Sequence, residues 1–297
     1  MNITAYNTQI YPNNYSFKSN PNSPKLIFKN TDFFINIKGY GKDLNWAEKI
    51  IAVTDKAAKS MRQNMNFDKI LARIALEVRK IKAHYSYDCI NHSGVLRTNR
   101  KGYGTSGKWD DLLTPYFKPA SPSCSPYILY KSRFDKLKDS PLETQYEGVS
   151  LTRMENYCED SIMAHGDSNK INSALDIVGQ IYRGIHEKYI SHPQNVTKSC
   201  LQEINSKIAE IRWILAHATP WERGSDSISN SLMRAIYKSM GIKTYPAAKG
   251  VSFDLQAYCT ELEDYKRNFA NYFSKPPKVI DDTQSFWSRL FGIKKKP

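Results

Sequence analysis

The strongest constraint in the sequence is an apolar periodicity that a proline interrupts. Apolar residues recur at alternating steps of three and four, at Leu201, Ile204, Ile208, Ile211 and Leu215. This spacing predicts a helix over residues 201–216 with one narrow buried seam. Pro220 ends the helix, because a proline in a helix interior removes a hydrogen bond and clashes with the preceding turn. The chain must therefore turn sharply here.

A second helix is predicted directly after this turn. It begins near Ser225, which suits the N-cap position, and it ends at Gly241. Its apolar face carries Ile228, Leu232, Ile236 and Met240. The centre of the protein is thus predicted to be a helix, a sharp turn and a second helix.

Two segments upstream have the same helical period. One follows Asn66, a good N-cap residue, and the other covers residues 170–188. Residues 92–152 break the pattern with Gly, Ser, Thr and Pro, and they are predicted to form a smaller lobe or loop region with a short β-flap at 141–152. The fold class is therefore mainly α.

Composition excludes several classes of protein. No apolar run approaches the roughly 20 residues of a membrane-spanning helix. The five cysteines lie far apart without a CxxC motif, so neither a metal site nor a disulfide framework is predicted. The net charge of +14 attracts anions, but the basic residues are spread along the chain and no nucleic-acid-binding motif is present. Nucleic acid is therefore not an expected partner.

A glycine-rich segment at residues 102–108 fits the GxxxxGK part of a P-loop. Trp109 stands where the Ser or Thr that holds magnesium should be, and no strand precedes the segment, so an ATPase is rejected. The basic residues around it are expected to form a mobile loop near a cleft that meets an anionic target. They are Arg97, Arg100, Lys101 and Lys108.

The turn between the two central helices is a candidate anion site. Gly224 lets the backbone approach a ligand, and the first amides of the second helix carry the positive end of its dipole. Arg223 adds a fork of donors suited to two phosphate oxygens. The pattern favours a diphosphate here. The alternative is a capped helix-turn-helix in which Arg223 forms a surface ion pair.

The same region resembles a known family. Residues 208–272 are similar to the C-terminal signature of the AvrB family of avirulence proteins, type III effectors of plant-associated bacteria. The shared residues are Trp213, Pro220, the Arg223-Gly224-Ser225 triplet, Gly241-Ile242, Pro246, Gly250, Val251, Asp254 and Tyr265. Weaker similarity extends to residues 67–82, to Thr114-Pro115 with Lys118-Pro119, and to His165.

The resemblance implies the Fido (Fic-like) fold, a helical bundle with a small additional lobe. Its turn is related to the Fic loop, and Thr219 falls where Fic enzymes carry their catalytic base. Threonine is not basic near neutral pH, so AMP transfer through a general base is not supported. His217, where the family has no histidine, lies opposite the apolar seam and is expected to be exposed or to line the cleft.

The resemblance also implies an activity, the rhamnosylation of a host protein from a nucleotide sugar, with no cofactor. Arg223 would hold phosphate with the amides of Gly224 and Ser225, and Asp254 would face the sugar or the acceptor hydroxyl, which it could orient or deprotonate. His165 would contact the nucleotide or the target, and Thr114 would dock the target. Two structural alternatives stay open: Asp254 is the N-cap of a helix that begins at Leu255, or Arg223 and Asp254 form a buried ion pair. Asp226 stands where the family has a small neutral residue, and its charge would oppose phosphate binding.

Composition and the resemblance together divide the chain into three regions. Residues 1–31, which lack Asp and Glu, are predicted to be a disordered arm that resembles a secretion signal, and residues 32–275 form the AvrB-like Fido domain. Residues 276–297 form a basic amphipathic tail, in which 285–296 suit an anionic membrane surface. Residue 2 is Asn, so N-myristoylation is not expected. The tail either replaces the acyl chain or docks on the core.

The expected protein is a monomeric effector that is secreted by a type III system and acts in the host cytoplasm or at the membrane periphery. Its partners would be a nucleotide or nucleotide sugar and a host immune-regulatory protein or kinase. Two alternatives stay open. One is a non-enzymatic protein that docks on host kinases or scaffolds, and the other is a nucleotidyl transferase with an unconventional base.

Overall fold

The computed structural model describes residues 28–34, 44–81, 92–98, 153–157, 160–164, 167–248 and 251–280. Most of the arm predicted for residues 1–31 lies outside these ranges, as do the flap predicted for 141–152, the glycine-rich segment 102–108 and the tail segment 285–296. Of the arm only residues 28–31 are described, and Asn30–Phe33 forms a 3-10 turn.

The described part of the chain is mainly α-helical, as the sequence predicts. Its helices are α1 (Leu44–Arg62), α2 (Phe67–Ile81), α3 (Ile171–Ile185), α4 (Leu201–Ala218), α5 (Ser225–Ser239), α6 (Phe253–Cys259) and α7 (Leu262–Asn268). Helix α3 continues into a π-helical turn, His186–Ile190, and Phe269–Tyr272 forms a 3-10 turn after α7. None of the described helices is long and apolar enough to span a bilayer.

The strands among the described residues form two small antiparallel pairs. Strand β1 (Arg153–Tyr157) pairs with β2 (Asp160–Ala164), with Arg153 opposite Ala164. Strand β3 (Ile242–Lys243) pairs with β4 (Lys278–Val279), with Ile242 opposite Val279. The second pair ties the end of α5 to the last described residues of the chain.

Helix α4 lies at the centre of the bundle, in contact with α3, α5, α6 and α7. The narrow seam predicted for it is wrong, because the opposite side of the helix is buried as well. Trp213 is fully buried, and its Nε1 donates to the Thr260 carbonyl at 3.1 Å. Helices α6 and α7 cover this second face, so α4 is enclosed from Ile208 to Ala218, whereas Gln202, Glu203 and Lys207 in its first turns stay exposed.

Helix α5 packs between α1 and α4 and also contacts α2. It ends as the sequence predicts, because Gly241 adopts a left-handed φ of 73° and donates to the Lys238 carbonyl at 3.1 Å. The predicted cap of α2 is also confirmed. The side-chain oxygen of Asn66 accepts hydrogen bonds from the amides of Asp68 and Lys69, at 2.9 and 3.2 Å.

Candidate functional site

The junction of α4 and α5 is a sharp corner, as the proline predicts. Helix α4 ends at Ala218 and its C-cap is Thr219, whose amide donates to the Leu215 carbonyl at 3.0 Å and whose hydroxyl donates to the Ala216 carbonyl at 2.7 Å. Thr219 has a left-handed φ of 40°, which is unfavourable for a β-branched residue. Gly224, with a φ of 84°, closes the corner immediately before α5. We call residues 219–226 the corner.

Ser225 does not cap α5, so its predicted role as the N-cap is wrong. The N-cap residue is Gly224, which has no side chain. The Ser225 hydroxyl instead donates to the Trp221 carbonyl at 3.0 Å and accepts from the Trp221 amide at 3.2 Å. No N-cap side chain therefore satisfies the first-turn amides of α5, which have no partner within the helix itself.

A short segment, residues 92–98, holds the corner from outside, and we call it the strap. Its Gly94 amide donates to the Arg223 carbonyl at 2.9 Å, and its Val95 carbonyl accepts from the Glu222 amide at 2.9 Å. Gly94 has a φ of 70° and lies so close to α2 that a Cβ atom would stand 2.5 Å from the Ala75 carbonyl oxygen. The strap is thereby wedged between α2 and the corner.

Arg97 anchors the other end of the strap. It is only 4% exposed, and its guanidinium donates to the carbonyls of Thr219 at 3.0 Å and Ala218 at 2.8 Å. A cation at this position stabilises the negative end of the α4 dipole. The expectation that Arg97 belongs to a mobile loop that meets an anionic target is therefore wrong.

Arg223 lies at the solvent-facing side of the corner. Arg223 is exposed, and its backbone forms a β-bridge to Ser93 of the strap. Gly224 and Ser225 follow it directly, so three of the predicted phosphate-binding residues lie together at the start of α5. An arginine beside uncapped helix amides can attract an anion from solvent.

A buried arginine that the sequence did not predict lies behind this corner. Arg212 of α4 is 1% exposed and forms a hydrogen-bonded ion pair with Asp226, in the first turn of α5. Burial by itself lowers the pKa of Arg212, but Asp226, Tyr265 and Asp254 together outweigh burial and raise that pKa above its ordinary value. No local signal marked this residue, because charged side chains are seldom fully buried unless they are paired.

Asp254 lies in the first turn of α6, half-buried, and accepts a hydrogen bond from the Ser252 hydroxyl. The interpretation that Asp254 caps a helix beginning at Leu255 is wrong, since α6 begins at Phe253 after an N-cap at Ser252. The alternative of a buried ion pair between Arg223 and Asp254 is wrong, because Arg223 is exposed and the buried arginine in electrostatic contact with Asp254 is Arg212. Two carboxylates, one from α5 and one from α6, thus lie near one buried guanidinium.

His217 is fully buried, so the prediction of an exposed or cleft-lining histidine is wrong. Its Nε2 lies 3.2 Å from the Ala257 carbonyl of α6, and its ring centre lies 4.1 Å from that of Trp213. Burial lowers the pKa of His217 to about 3, so the imidazole is neutral at physiological pH. These contacts give His217 a structural role.

His165 and Thr114, the remaining predicted site residues, lie outside the described residues. The described ranges also contain no group of three His, Cys, Asp or Glu residues that could hold a metal ion. The part of the site that the structure describes therefore consists of the corner, its strap, Arg212 and Asp254.

The fold and the site define a mainly α-helical protein with a strapped corner between its two central helices. Residues 131–276, about half of the chain, match the model of the AvrB_AvrC family, described as avirulence protein. Over these residues the chain belongs to the AvrB_AvrC family of avirulence proteins. The match includes Arg223, Asp254 and His165, whereas the strap and Thr114 precede it. No curated protein matches the chain.

Proposed function

We propose that the chain is a bacterial type III effector of the Fido fold that binds a nucleotide sugar and glycosylates a host protein, with rhamnose as the transferred sugar. Membership of an avirulence family supports the effector role. The resemblance in residues 208–272 supplies the Fido fold and the sugar transfer. The single observation that carries the proposal is the uncapped start of α5 with Arg223 exposed beside it.

This corner has the features that a diphosphate requires. The first-turn amides of α5 point out of the helix and carry the positive end of its dipole. Arg223 can donate two parallel hydrogen bonds to phosphate oxygens. Bonds from the strap to Glu222 and Arg223 hold the backbone in place before any ligand arrives, which reduces the entropy lost on binding.

Asp226 carries a negative charge at the start of α5, which by itself would oppose phosphate binding. The structure gives this carboxylate a partner inside the protein, the buried Arg212. Because the ion pair offsets the negative charge of Asp226, the helix dipole and Arg223 still create a positive potential at the corner. The departure from the family pattern at Asp226 is therefore compatible with an anionic donor.

In the proposed reaction, Asp254 accepts the proton of a Ser or Thr hydroxyl on the host protein. The hydroxyl oxygen forms a bond to the anomeric carbon of the sugar. The bond from that carbon to the diphosphate oxygen breaks, and its electron pair leaves with the diphosphate. Arg223 and the α5 amides stabilise the negative charge that develops on the leaving group. No cofactor is required.

The remaining parts of the proposal concern residues beyond the described ranges. His165 contacts the nucleotide, Thr114 docks the target, and residues 285–296 touch the anionic membrane surface of the host cell. The effector acts as a monomer, and its target is an immune-regulatory protein or a kinase. The net charge of +14 favours an acidic target surface and an anionic bilayer.

A nucleotidyl transferase is less well supported by the corner. Thr219 has no basicity, and His217 is buried and neutral with a pKa of about 3. A non-enzymatic docking effector is the stronger second candidate. The side chain of Asp226 favours docking. It is 34% exposed, and a carboxylate at the start of α5 opposes the binding of a phosphate there.

One experiment separates the three functions. The purified protein is incubated with a candidate host immune-regulatory protein and UDP-rhamnose, and in parallel with ATP, and the intact mass of the host protein is measured. A rhamnosyl increment supports the proposal, and a nucleotidyl increment supports the transferase. An unchanged mass with stable co-elution of the two proteins supports docking and contradicts glycosyl transfer.

A further inference from the structure

We propose a second binding site, a cavity beside the C-terminal half of α5 that takes a small carboxylate with an apolar body. The cavity has a volume of about 320 Å³, which lies within the range of small-molecule sites. Helix α1, helix α5, the Asn30–Phe33 turn and strand β3 contribute its walls. We call it the Arg234 cavity, after the residue that distinguishes it.

Most of the surface that faces the cavity is apolar, although polar residues also contribute to the wall. Its apolar side chains are Phe33, Phe34, Ile51, Ile242 and Ile280. Such a wall favours a ligand whose larger part is hydrocarbon, since burial of apolar surface drives binding. A free phosphate or another small, fully hydrated anion has no apolar part to bury here.

Arg234 gives this apolar cavity a buried positive charge. The residue is 7% exposed, and its Nε donates to the Asn230 side-chain oxygen at 3.0 Å. Its Nη1 donates to the Thr244 hydroxyl and to the Tyr245 carbonyl, each at 3.1 Å. Its Nη2 is buried without a hydrogen-bond partner. Every partner that the structure gives this guanidinium is therefore neutral.

A buried cation whose partners are all neutral is unfavourable, because the free-energy cost of removing its water is offset best by an opposite charge. Burial accordingly lowers the pKa of Arg234 to about 9. Among the described residues, none places a carboxylate in ion-pair contact with Arg234. Asp226 acts on it from two turns away along α5 but is already paired with Arg212. An incoming carboxylate would supply the missing charge.

The polar groups of the cavity favour one carboxylate. A guanidinium fork matches the two oxygens of a carboxylate. Ser231, which also lines the cavity, has a buried hydroxyl without a partner and offers another donor. Asp55 and Lys238, which also line the cavity, are paired with each other, so their charges offset, and Lys243 adds a second lysine to the wall. Nη2 is covered in this conformation, so binding requires a small side-chain adjustment in the wall.

The Arg234 cavity is separate from the corner. Asp226 and Arg234 lie eight residues apart on α5, about 12 Å along the helix axis. A ligand in the cavity would therefore not occupy the place proposed for the nucleotide sugar. The two sites can be tested independently of each other.

The test is calorimetric titration of the full-length protein with butanoate, hexanoate and octanoate, and with hexanol as the uncharged analogue. We expect saturable binding of the carboxylates with one site per chain, and hexanol binding at least about tenfold weaker than hexanoate. Absence of binding by all three carboxylates overturns the proposal. Equal affinity for hexanoate and hexanol overturns it as well.

Two variants locate the site. Arg234→Met removes the charge and keeps the hydrocarbon stem, and it should weaken hexanoate binding at least about tenfold. Ile51→Trp fills the cavity and leaves Arg234 in place, so it keeps the test valid if Arg234→Met does not fold. Lys188→Met removes an exposed charge outside the cavity, and Arg223→Gln alters the corner. Hexanoate binding should be unchanged in both, and unchanged binding in folded Arg234→Met or Ile51→Trp overturns the proposal.

Discussion

Arg212 and Asp226 form an ion pair that joins α4 to α5 directly behind the corner. The arginine is 1% exposed, whereas the side chain of the aspartate is 34% exposed. The pair thus reaches from the core to the surface at the start of α5. It fixes the relative position of the two helices, and it offsets a negative charge at the proposed diphosphate site.

Replacing Arg212 by Met should destabilise the protein by about 3 kcal/mol, because it leaves Asp226 without its buried partner. We expect a loss at the low end of the range measured for broken buried ion pairs, because the side chain of Asp226 is partly exposed to water. Urea denaturation followed by circular dichroism measures the free energy of unfolding.

The pair of Lys238 and Asp55 provides the matched control, because it also joins α5 to another helix but is exposed on both sides. Lys238→Met should cost at most about 1 kcal/mol. Similar losses for Lys238→Met and Arg212→Met would contradict the importance given to burial.

The stability of the protein should fall below neutral pH because of His217. Burial lowers the pKa of His217 to about 3 from the ordinary value of 6.5, so between these values the unfolded chain binds a proton that the folded chain does not. The stabilisation that comes from burying a neutral His217 is complete above pH 6.5 and declines as the pH falls towards 3. Between pH 7 and 5 the free energy of unfolding should fall by about 2 kcal/mol because of His217.

Denaturation curves at pH 7 and pH 5 test this prediction. In His217→Gln, which stays neutral and can still donate to the Ala257 carbonyl, the loss between the two pH values should be smaller by about 2 kcal/mol. His192, which is exposed, serves as the control. In His192→Gln the free energy of unfolding should depend on pH as it does in the wild-type protein. A dependence unaltered by His217→Gln would show that other groups cause it.

Gly94→Ala should loosen the strap. A Cβ atom would lie 2.5 Å from the Ala75 carbonyl oxygen, and the φ of 70° is unfavourable for alanine. We expect a loss of at least about 2 kcal/mol in the free energy of unfolding. We also expect faster hydrogen exchange at the Glu222 amide, which bonds to the Val95 carbonyl of the strap.

Gly184 in α3 is the opposite case, because no atom lies within 4 Å of the place of its Cβ. Gly184→Ala should therefore stabilise the protein by about 0.5 kcal/mol. If Gly94→Ala were as harmless as Gly184→Ala, the close packing of the strap on α2 would be refuted.

Asp254→Asn should separate donor binding from sugar transfer. The amide keeps the shape of the carboxylate but cannot accept the proton of the acceptor hydroxyl. We expect the affinity for UDP-rhamnose to change less than about threefold, and the release of UDP in the presence of an acceptor to slow at least about a hundredfold. Unchanged UDP release would remove Asp254 from the reaction.

The sequence predicted the central helices well because their signals are local. The seam from Leu201 to Leu215, the break at Pro220 and the stop at Gly241 each act over a few residues. Enclosure of the second face of α4 was not predictable in this way. It depends on α6 and α7, which begin 35 or more residues after the end of α4.

The candidate site was predictable only in part for the same reason. Arg223, Gly224 and Ser225 are neighbours in the chain, so their proximity follows from the turn. The strap reaches the corner from more than a hundred residues upstream, and Arg97 showed nothing to distinguish it from the other basic residues. Arg212 was not predictable, because a periodic pattern assigns charged residues to the solvent face, whereas Arg212 is paired with Asp226 in the protein interior.

The central claim is that the corner of α4 and α5 holds the diphosphate of a nucleotide sugar. Its most direct test is calorimetric titration of UDP-rhamnose into the original chain, into Arg223→Gln and into Arg183→Gln, an exposed arginine on α3 that serves as the charge-matched control. We predict one site per chain, an affinity at least about tenfold weaker in Arg223→Gln, and no change in Arg183→Gln. Equal affinities in all three proteins, or no binding to the original chain, would contradict the claim.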